Sequence, residues 1–214
     1  MLQTNENIEI FKRLDAVKSL VPKGTRLLDI GTDHASLPIE LVFENIVTCA
    51  IASDVNQKPL LRAEFEISKN KLNDKIKTIL SNGFENIPID SFDCAAICGM
   101  GGHLIAEIID KGQEKAKNCY LILQPMSYPE ALRKYLFDNG FEILNEIFAF
   151  ENDKPYVIIL SKFTDIKSAY SYSDLIFGKF RPNCKFYLKY ELKIKKRLQK
   201  RLIGIIKHKI EYTK

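Results

Sequence analysis

Tryptophan is absent from these 214 residues, and histidine and methionine occur only three times each. The five cysteines (49, 94, 98, 119 and 184) are odd in number and include no C-x-x-C. With so few histidines a zinc site is not expected, nor any other metal. The cysteines read as small apolar residues of a reducing compartment. Long apolar runs are missing too. The longest, Cys94 to Ile109, is broken by glycines, His103 and Glu107, and falls short of the roughly 20 apolar residues that span a bilayer. The segment MLQTNENIEIFKRLD carries early acids and no apolar stretch of the secretory kind. The expectation is a cytoplasmic protein without a membrane partner. Oligomeric state is open, with a monomer the working expectation.

Hydrophobic residues make up 46% of the chain and charged residues 28%, which is ordinary globular composition. Thirteen Phe and nine Tyr supply aromatic mass for a core. A chain of this size buries roughly 70% of its unfolded surface. One domain, residues 1–162, with an appendage, residues 163–214, suits the length.

The net charge of +5 hides an asymmetry. Residues 179–214 hold 13 Lys/Arg against 2 Asp/Glu, whereas residues 1–178 hold 19 against 25. A basic tail on an acidic body suggests a polyanion partner, although the same charge also describes a solvated helix face. Phe186, Tyr190, Ile194, Leu198, Leu202, Ile206 and Ile210 recur every four residues. Lys185, Lys189, Lys193, Arg197 and Arg201 form a second row one position back. Together they predict one long helix after Pro182, with an apolar stripe beside a basic ridge. A stripe of period four drifts around a 3.6-residue helix, so it must cross its partner at an angle. RNA is the favoured ligand of the ridge, ahead of a membrane surface.

The body alternates. Residues 5–20 read as an amphipathic helix with Ile8, Phe11, Leu14 and Val17 on one face, ended by Pro22-Lys23-Gly24. Strands are expected at 26–31, 47–53, 76–80, 92–98 and 119–124, the last stopped by Pro125. Helices are expected at 36–45, 58–72, 103–111 and 129–139, the last capped by Gly140. Two extended segments, 141–150 and 156–162, follow around a turn. Five βα units and a closing hairpin give an α/β, doubly wound, mainly parallel sheet with an antiparallel terminal pair. That ending is typical of class I methyltransferases, which use S-adenosylmethionine (SAM).

Ligands in open α/β sheets sit at the carboxyl ends of the strands, so the loops after each strand carry the chemistry. After the first comes Asp29-Ile30-Gly31-Thr32-Asp33-His34-Ala35. This is not G-x-G-x-x-G: Asp33 stands where a second glycine would admit a pyrophosphate. An acid there repels a diphosphate but suits a ligand with an ammonium and a sulfonium. Capping of the next helix is the other reading of Asp33. Asp54, followed by Val55, closes the second strand at the spacing of a ribose-binding acid. Asn82-Gly83 is either an adenine contact or a plain turn. Gly99-Met100-Gly101-Gly102 lets backbone approach a ligand closely. No N/D-P-P-Y tetrad follows the fourth strand; Gln124-Pro125-Met126-Ser127-Tyr128, after the fifth, is a distant echo. A ring nitrogen with its own lone pair would not need the tetrad. There is no G-x-S-x-G, and His34 and His103 could serve as bases, although a lone histidine is more often a packed or capping residue.

Lys12-Arg13-Leu14, Asp29-Ile30-Gly31-Thr32-Asp33-His34-Ala35-Ser36-Leu37-Pro38, Gly99-Met100-Gly101-Gly102 and Leu121-Ile122-Leu123-Gln124-Pro125 occur in that order. In these blocks the sequence resembles the bacterial tRNA adenine-22 N1-methyltransferases of the TrmK type, over about residues 7–160. The resemblance implies a Rossmann-like catalytic domain with a C-terminal helical coiled coil. It implies methyl transfer from SAM to N1 of adenine 22 in tRNA. Carried over by residue, Asp29, Gly31, Asp33 and His34 are the first SAM loop. Asp54 and Val55 are the ribose site, and Asn82 and Gly83 the adenine site. Gly99, Met100 and Gly101 lie near the methyl and the target base, with Gln124, Pro125 and Arg13 in the reacting site. Asn82 replaces the Asp often found in relatives, and the tail is shorter than in many of them. The alternatives are a SAM enzyme for another RNA or a small molecule, and a SAM- or tRNA-binding protein without catalysis.

Overall fold

The computed structural model describes residues 12–152, 154–181 and 185–212, with the side chains of 185, 186 and 207–212 outside the description. Ile8, Phe11 and Cys184 of the sequence reading lie outside the described residues. The elements are α1 (Arg13–Ser19), β1 (Thr25–Ile30), α2 (Ser36–Phe43), β2 (Val47–Asp54), α3 (Gln57–Lys69), β3 (Ile76–Leu80), β4 (Cys94–Gly101), α4 (Gly102–Lys111), α5 (Gln113–Ala116), β5 (Tyr120–Ser127), α6 (Pro129–Asp138), β6 (Phe141–Glu151), β7 (Lys154–Phe163), α7 (Tyr172–Phe177) and α8 (Lys185–Tyr212).

The seven strands form one sheet in the order β3-β2-β1-β4-β5-β7-β6. All pairs are parallel except β5–β7 and β6–β7. The order reverses between β1 and β4, which opens a crevice at their carboxyl ends. Both faces are covered. Leu28, Ile30, Ala95, Ile97, Leu121 and Leu123 point into one core, under α4, α6 and α8. Their neighbours Leu27, Cys94, Ala96 and Ile122 point into the other, under α1, α2 and α3. Side chains alternate across a strand, so the near-continuous apolar runs of β1, β4 and β5 are what a doubly covered parallel sheet requires.

Two strands outrun their expected ends. β4 continues through Gly99 and Met100 to Gly101, and β5 continues past Pro125 to Ser127. Proline lacks an N–H, so it breaks a ladder only where a neighbour needs that donor. The pairing of β5 with β7 ends at Leu123↔Ile159, and beyond it β5 is paired with β4 alone, Met100 opposite Pro125. Pro125 therefore sits where one side of the strand is already free.

The tail folds as one long helix, and its first half docks. Tyr187, Tyr190 and Ile194 are buried, Leu198 partly so, against the face made by β6, β7 and α7. Phe148 of β6 meets the Tyr187 and Tyr190 rings at 5.1 and 5.0 Å. The stripe then leaves the body as its drift requires: Leu202 and Ile206 are exposed. A buried ion pair anchors this corner. Arg133 of α6 and Glu146 of β6 are fully buried with Nε and Oε1 2.6 Å apart. Arg133 also donates to the Leu175 carbonyl at 2.9 Å, and Glu146 accepts the Lys179 N–H at 3.0 Å. Among the described residues no helix is long and apolar enough to cross a membrane.

Candidate functional site

The loop after β1 turns sharply. Gly31 has φ +82°, and its N–H, with that of Thr32, donates to the Ser53 carbonyl of β2 at 2.8 and 2.9 Å. A Cβ on Gly31 would lie 2.1 Å from Cε of Met100, so the end of β4 lays a side chain directly on the glycine after β1. Asp29, at the end of β1, is 7% exposed. Burial raises its carboxyl to about 6, the Thr32 hydroxyl acting against the rise and the charge of Asp54 adding to it. Asp29, Gly31, Thr32, Asp33, His34, Arg13 and Cys98 share a cavity of about 200 Å³.

Asp33 is engaged from two sides. Its Oδ1 accepts from Arg62 Nε of α3 at 3.0 Å and also from Arg62 Nη2, and Oδ2 lies 3.2 Å from His34 Nε2. Neither helix capping nor a free carboxylate describes it. Asp54 is half-buried at the tip of β2, its Oδ1 accepting the Asn56 N–H at 2.7 Å, and Val55 beside it is exposed. Asn82 donates to Glu85 Oε1 at 2.9 Å, and Gly83 has φ +61° with Ile108 packed where its side chain would be.

The other wall is tied by one glutamine. Gln124 is fully buried, and its Oε1 accepts both Arg13 Nη1 at 2.9 Å and the Gly99 N–H at 3.2 Å. Gly99 has φ +79°, and a side chain there would start 3.9 Å from Arg13 Nη1. Arg13 reaches on to Glu151 Oε2 at 3.4 Å and lies over the Tyr156 ring at 5.8 Å. So Arg13, Gly99 and Gln124, far apart in sequence, form one hydrogen-bonded unit. Pro125 and Gly101 flank it, opposite Met100 and Ser127.

The basic row divides. Lys189 lies over the Phe150 ring at 4.0 Å, and Arg197 is paired with Glu130 of α6 at 2.8 Å. A groove of about 720 Å³ runs between the β6–β7 hairpin and α8, lined by Lys189, Lys193, Lys196, Arg197 and Lys200 with no carboxylate among its lining residues. Burial, with Lys154 and Arg197 close by, holds the Lys193 ammonium below its usual range. Lys185 contributes backbone only to the described structure, and Arg201 faces a second cavity with Tyr128.

A methyltransferase-domain family profile matches residues 10–159. The tRNA (adenine(22)-N(1))-methyltransferase of Bacillus subtilis (strain 168) is 33% identical over 164 residues, 76% of this chain and 69% of that protein. The chain belongs to this methyltransferase family. The solved structure of the B. subtilis m1A22 tRNA methyltransferase TrmK superposes with a TM-score of 0.83 at 30% identity, covering 93% of this chain and 88% of that one. A Streptococcus pneumoniae member crystallised with S-adenosyl-L-methionine superposes with a TM-score of 0.83 at 36% identity, covering 89% and 90%. Two residues that engage the expected site side chains, Arg62 at Asp33 and Glu151 at Arg13, were not visible in sequence. Arg62 lies on α3, where it reads as an ordinary solvent-facing cation. Glu151 sits at a hairpin end with no local signal.

Proposed function

We propose that the protein transfers a methyl group from SAM to N1 of the adenine at position 22 of tRNA. The observation that carries this is the pairing of family membership with a strand-end crevice whose first loop presents carboxylates rather than a phosphate cradle. The residues fit the cofactor. Asp29 and Asp33 suit a ligand bearing an ammonium and a sulfonium, and Gly31 gives Met100 room to pack on the first loop. Asp54, one oxygen already bonded to backbone, retains a second for ribose hydroxyls, with Val55 beside it. Asn82 and Gly83 are assigned to the adenine ring. Because Arg62 already neutralises Asp33, the ammonium competes for that carboxylate, which leaves Asp29 as its principal counter-charge.

When bound, SAM supplies an electrophilic methyl on a cationic sulfur. Adenine N1 has an in-plane lone pair, so the protein need not generate a nucleophile. Its residues position, and positioning alone is worth on the order of 7–11 kcal/mol. Gln124 and Arg13 fix the Gly99–Gly101 backbone and, with Met100 and Pro125, shape the place where the base enters. Glu151 beside Arg13 offsets a cation close to where the product gains positive charge. Residues 1–162 are the catalytic body, and Lys185, Lys189, Lys193, Arg197 and Arg201 of the extension bind RNA phosphates. We infer a cytoplasmic setting, where tRNA is found, and a monomer.

The test is methyl-labelled SAM with an unmodified tRNA transcript carrying adenine at position 22, beside one carrying guanine there. Label on the first alone is the expected result. Label on both moves the target base, and label on neither, with SAM bound, overturns the proposal.

A further inference from the structure

The reacting end carries an aromatic pair with no structural role in the core. Tyr128 directly follows β5 and adopts a left-handed backbone, φ 51° and ψ 48°, unfavourable for a bulky L-residue. The conformation is held by the glycine loop: a Cβ on Gly102 would lie 2.2 Å from the Tyr128 carbonyl oxygen. The start of α4 and the end of β5 are therefore packed backbone against backbone at Tyr128. Tyr128 is 50% exposed. Its ring lies 5.2 Å from the exposed His103 ring at an angle of 51°. Met126, two residues earlier and in contact with Gln124 Nε2 at 3.6 Å, is likewise half exposed.

We propose that Tyr128 and His103 form the stacking wall for the base to be methylated. The inference rests on the methyltransferase reading above and adds which side chains receive the base. A purine drawn out of its helix loses two stacked neighbours. It recovers that loss on exposed aromatic faces, which accept any base π-face. The surroundings select a nucleotide over an apolar peptide. Tyr128 also lines a cavity of about 540 Å³ that holds Lys134, Arg197 and Arg201 against a single carboxylate, Glu130. Arg197 is paired with Glu130 and Lys134 with Asp138, yet the lining as a whole carries more cations than carboxylates, which suits a phosphate-bearing strand running from α8 to Tyr128.

The test compares ring with non-ring side chains of similar bulk. Tyr128→Phe and Tyr128→Leu are assayed for kcat/KM on the adenine-22 transcript, for SAM affinity by calorimetry and for thermal stability. Stacking predicts that the Leu variant falls below the Phe variant by about 5- to 150-fold in kcat/KM, the range for one aromatic–base contact, with SAM affinity level in both. Equal activity of Phe and Leu variants overturns the proposal, because packing alone then explains the position. Should Tyr128→Leu fail to fold, His103→Phe against His103→Leu asks the same question with the same two outcomes. If the unsubstituted protein methylates no RNA, the methyltransferase reading fails, and that result is separate from any ranking of variants.

Discussion

Replacing Asp29 with asparagine should remove a pH-dependent cost of folding. Asp29 is buried at the end of β1, and burial lifts its carboxyl from an ordinary 3.8 to about 6 in the folded protein. The folded state therefore holds its proton more tightly than the unfolded state does. Between those two values folding takes up a proton, so stability falls as pH rises and levels off above about 6. At about 1.4 kcal/mol for each pH unit the full cost approaches roughly 3 kcal/mol, of which about 2 develops between pH 4 and pH 8. Asparagine keeps the shape and cannot ionise. Urea denaturation of both proteins without ligand, across that range, is the assay. The stability of Asp29→Asn relative to the parent should rise by about 2 kcal/mol from the acid to the alkaline end. Parallel stability curves, or a difference that shrinks with pH, would refute the buried-carboxylate reasoning. Under the proposed cofactor role the same carboxylate favours a cationic ligand only when ionised. SAM affinity should then weaken below about pH 6 in the parent and lose that dependence in the variant.

Three further outcomes follow from the same structure. Gln124→Leu removes the shared acceptor of Arg13 and Gly99, and should cost about 1–3 kcal/mol in denaturant melts while lowering kcat/KM for tRNA; a Leu variant as stable and active as the parent would contradict it. Arg133→Met strands Glu146 in the core and should cost roughly 3–5 kcal/mol, whereas Arg133→Met with Glu146→Leu should regain most of that; a double variant no better than the single one would sink the pairing claim. Lys193→Glu, Lys196→Glu and Lys200→Glu together, chosen to leave the Arg197–Glu130 pair intact, should weaken tRNA binding and flatten its log–log salt slope by roughly 2–3 without moving SAM affinity; an unchanged slope would take RNA out of the groove.

The order of strands and helices was legible because each carries its period in its own residues. All seven strands lie on the expected apolar runs, β4 and β5 running on past them, and Gly31 after β1 and the glycine-rich end of β4 stand at the switch point. What was not legible depended on partners distant in sequence. Pro125 reads as a stop, and only the absence of a β7 neighbour beyond Leu123 lets β5 pass it. Arg133 sits among Leu132, Leu136 and Phe137 on the inward side of α6, and nothing near it announces Glu146 across the core. The same holds at the site. Asp33 stands out as an unusual acid after a glycine, but its ion pair with Arg62 joins two helices' worth of chain. The short α5 and α7 have too few residues for a period; α7 is marked by a capping box at Ser171 and Asp174.

The bonds of Arg13 bear on how the protein is made. They join a residue near the start of the chain to Gln124 and Glu151, 111 and 138 positions further on. A nascent polypeptide must clear the ribosome past the β6–β7 hairpin before that wall of the crevice can close. The crevice is thus among the last parts of the body to be completed in synthesis, and under the proposed cofactor role a ligand that fills it binds the finished fold rather than a fragment. Occupancy at about a hundredfold over Kd would add about 2.7 kcal/mol to the whole body at once.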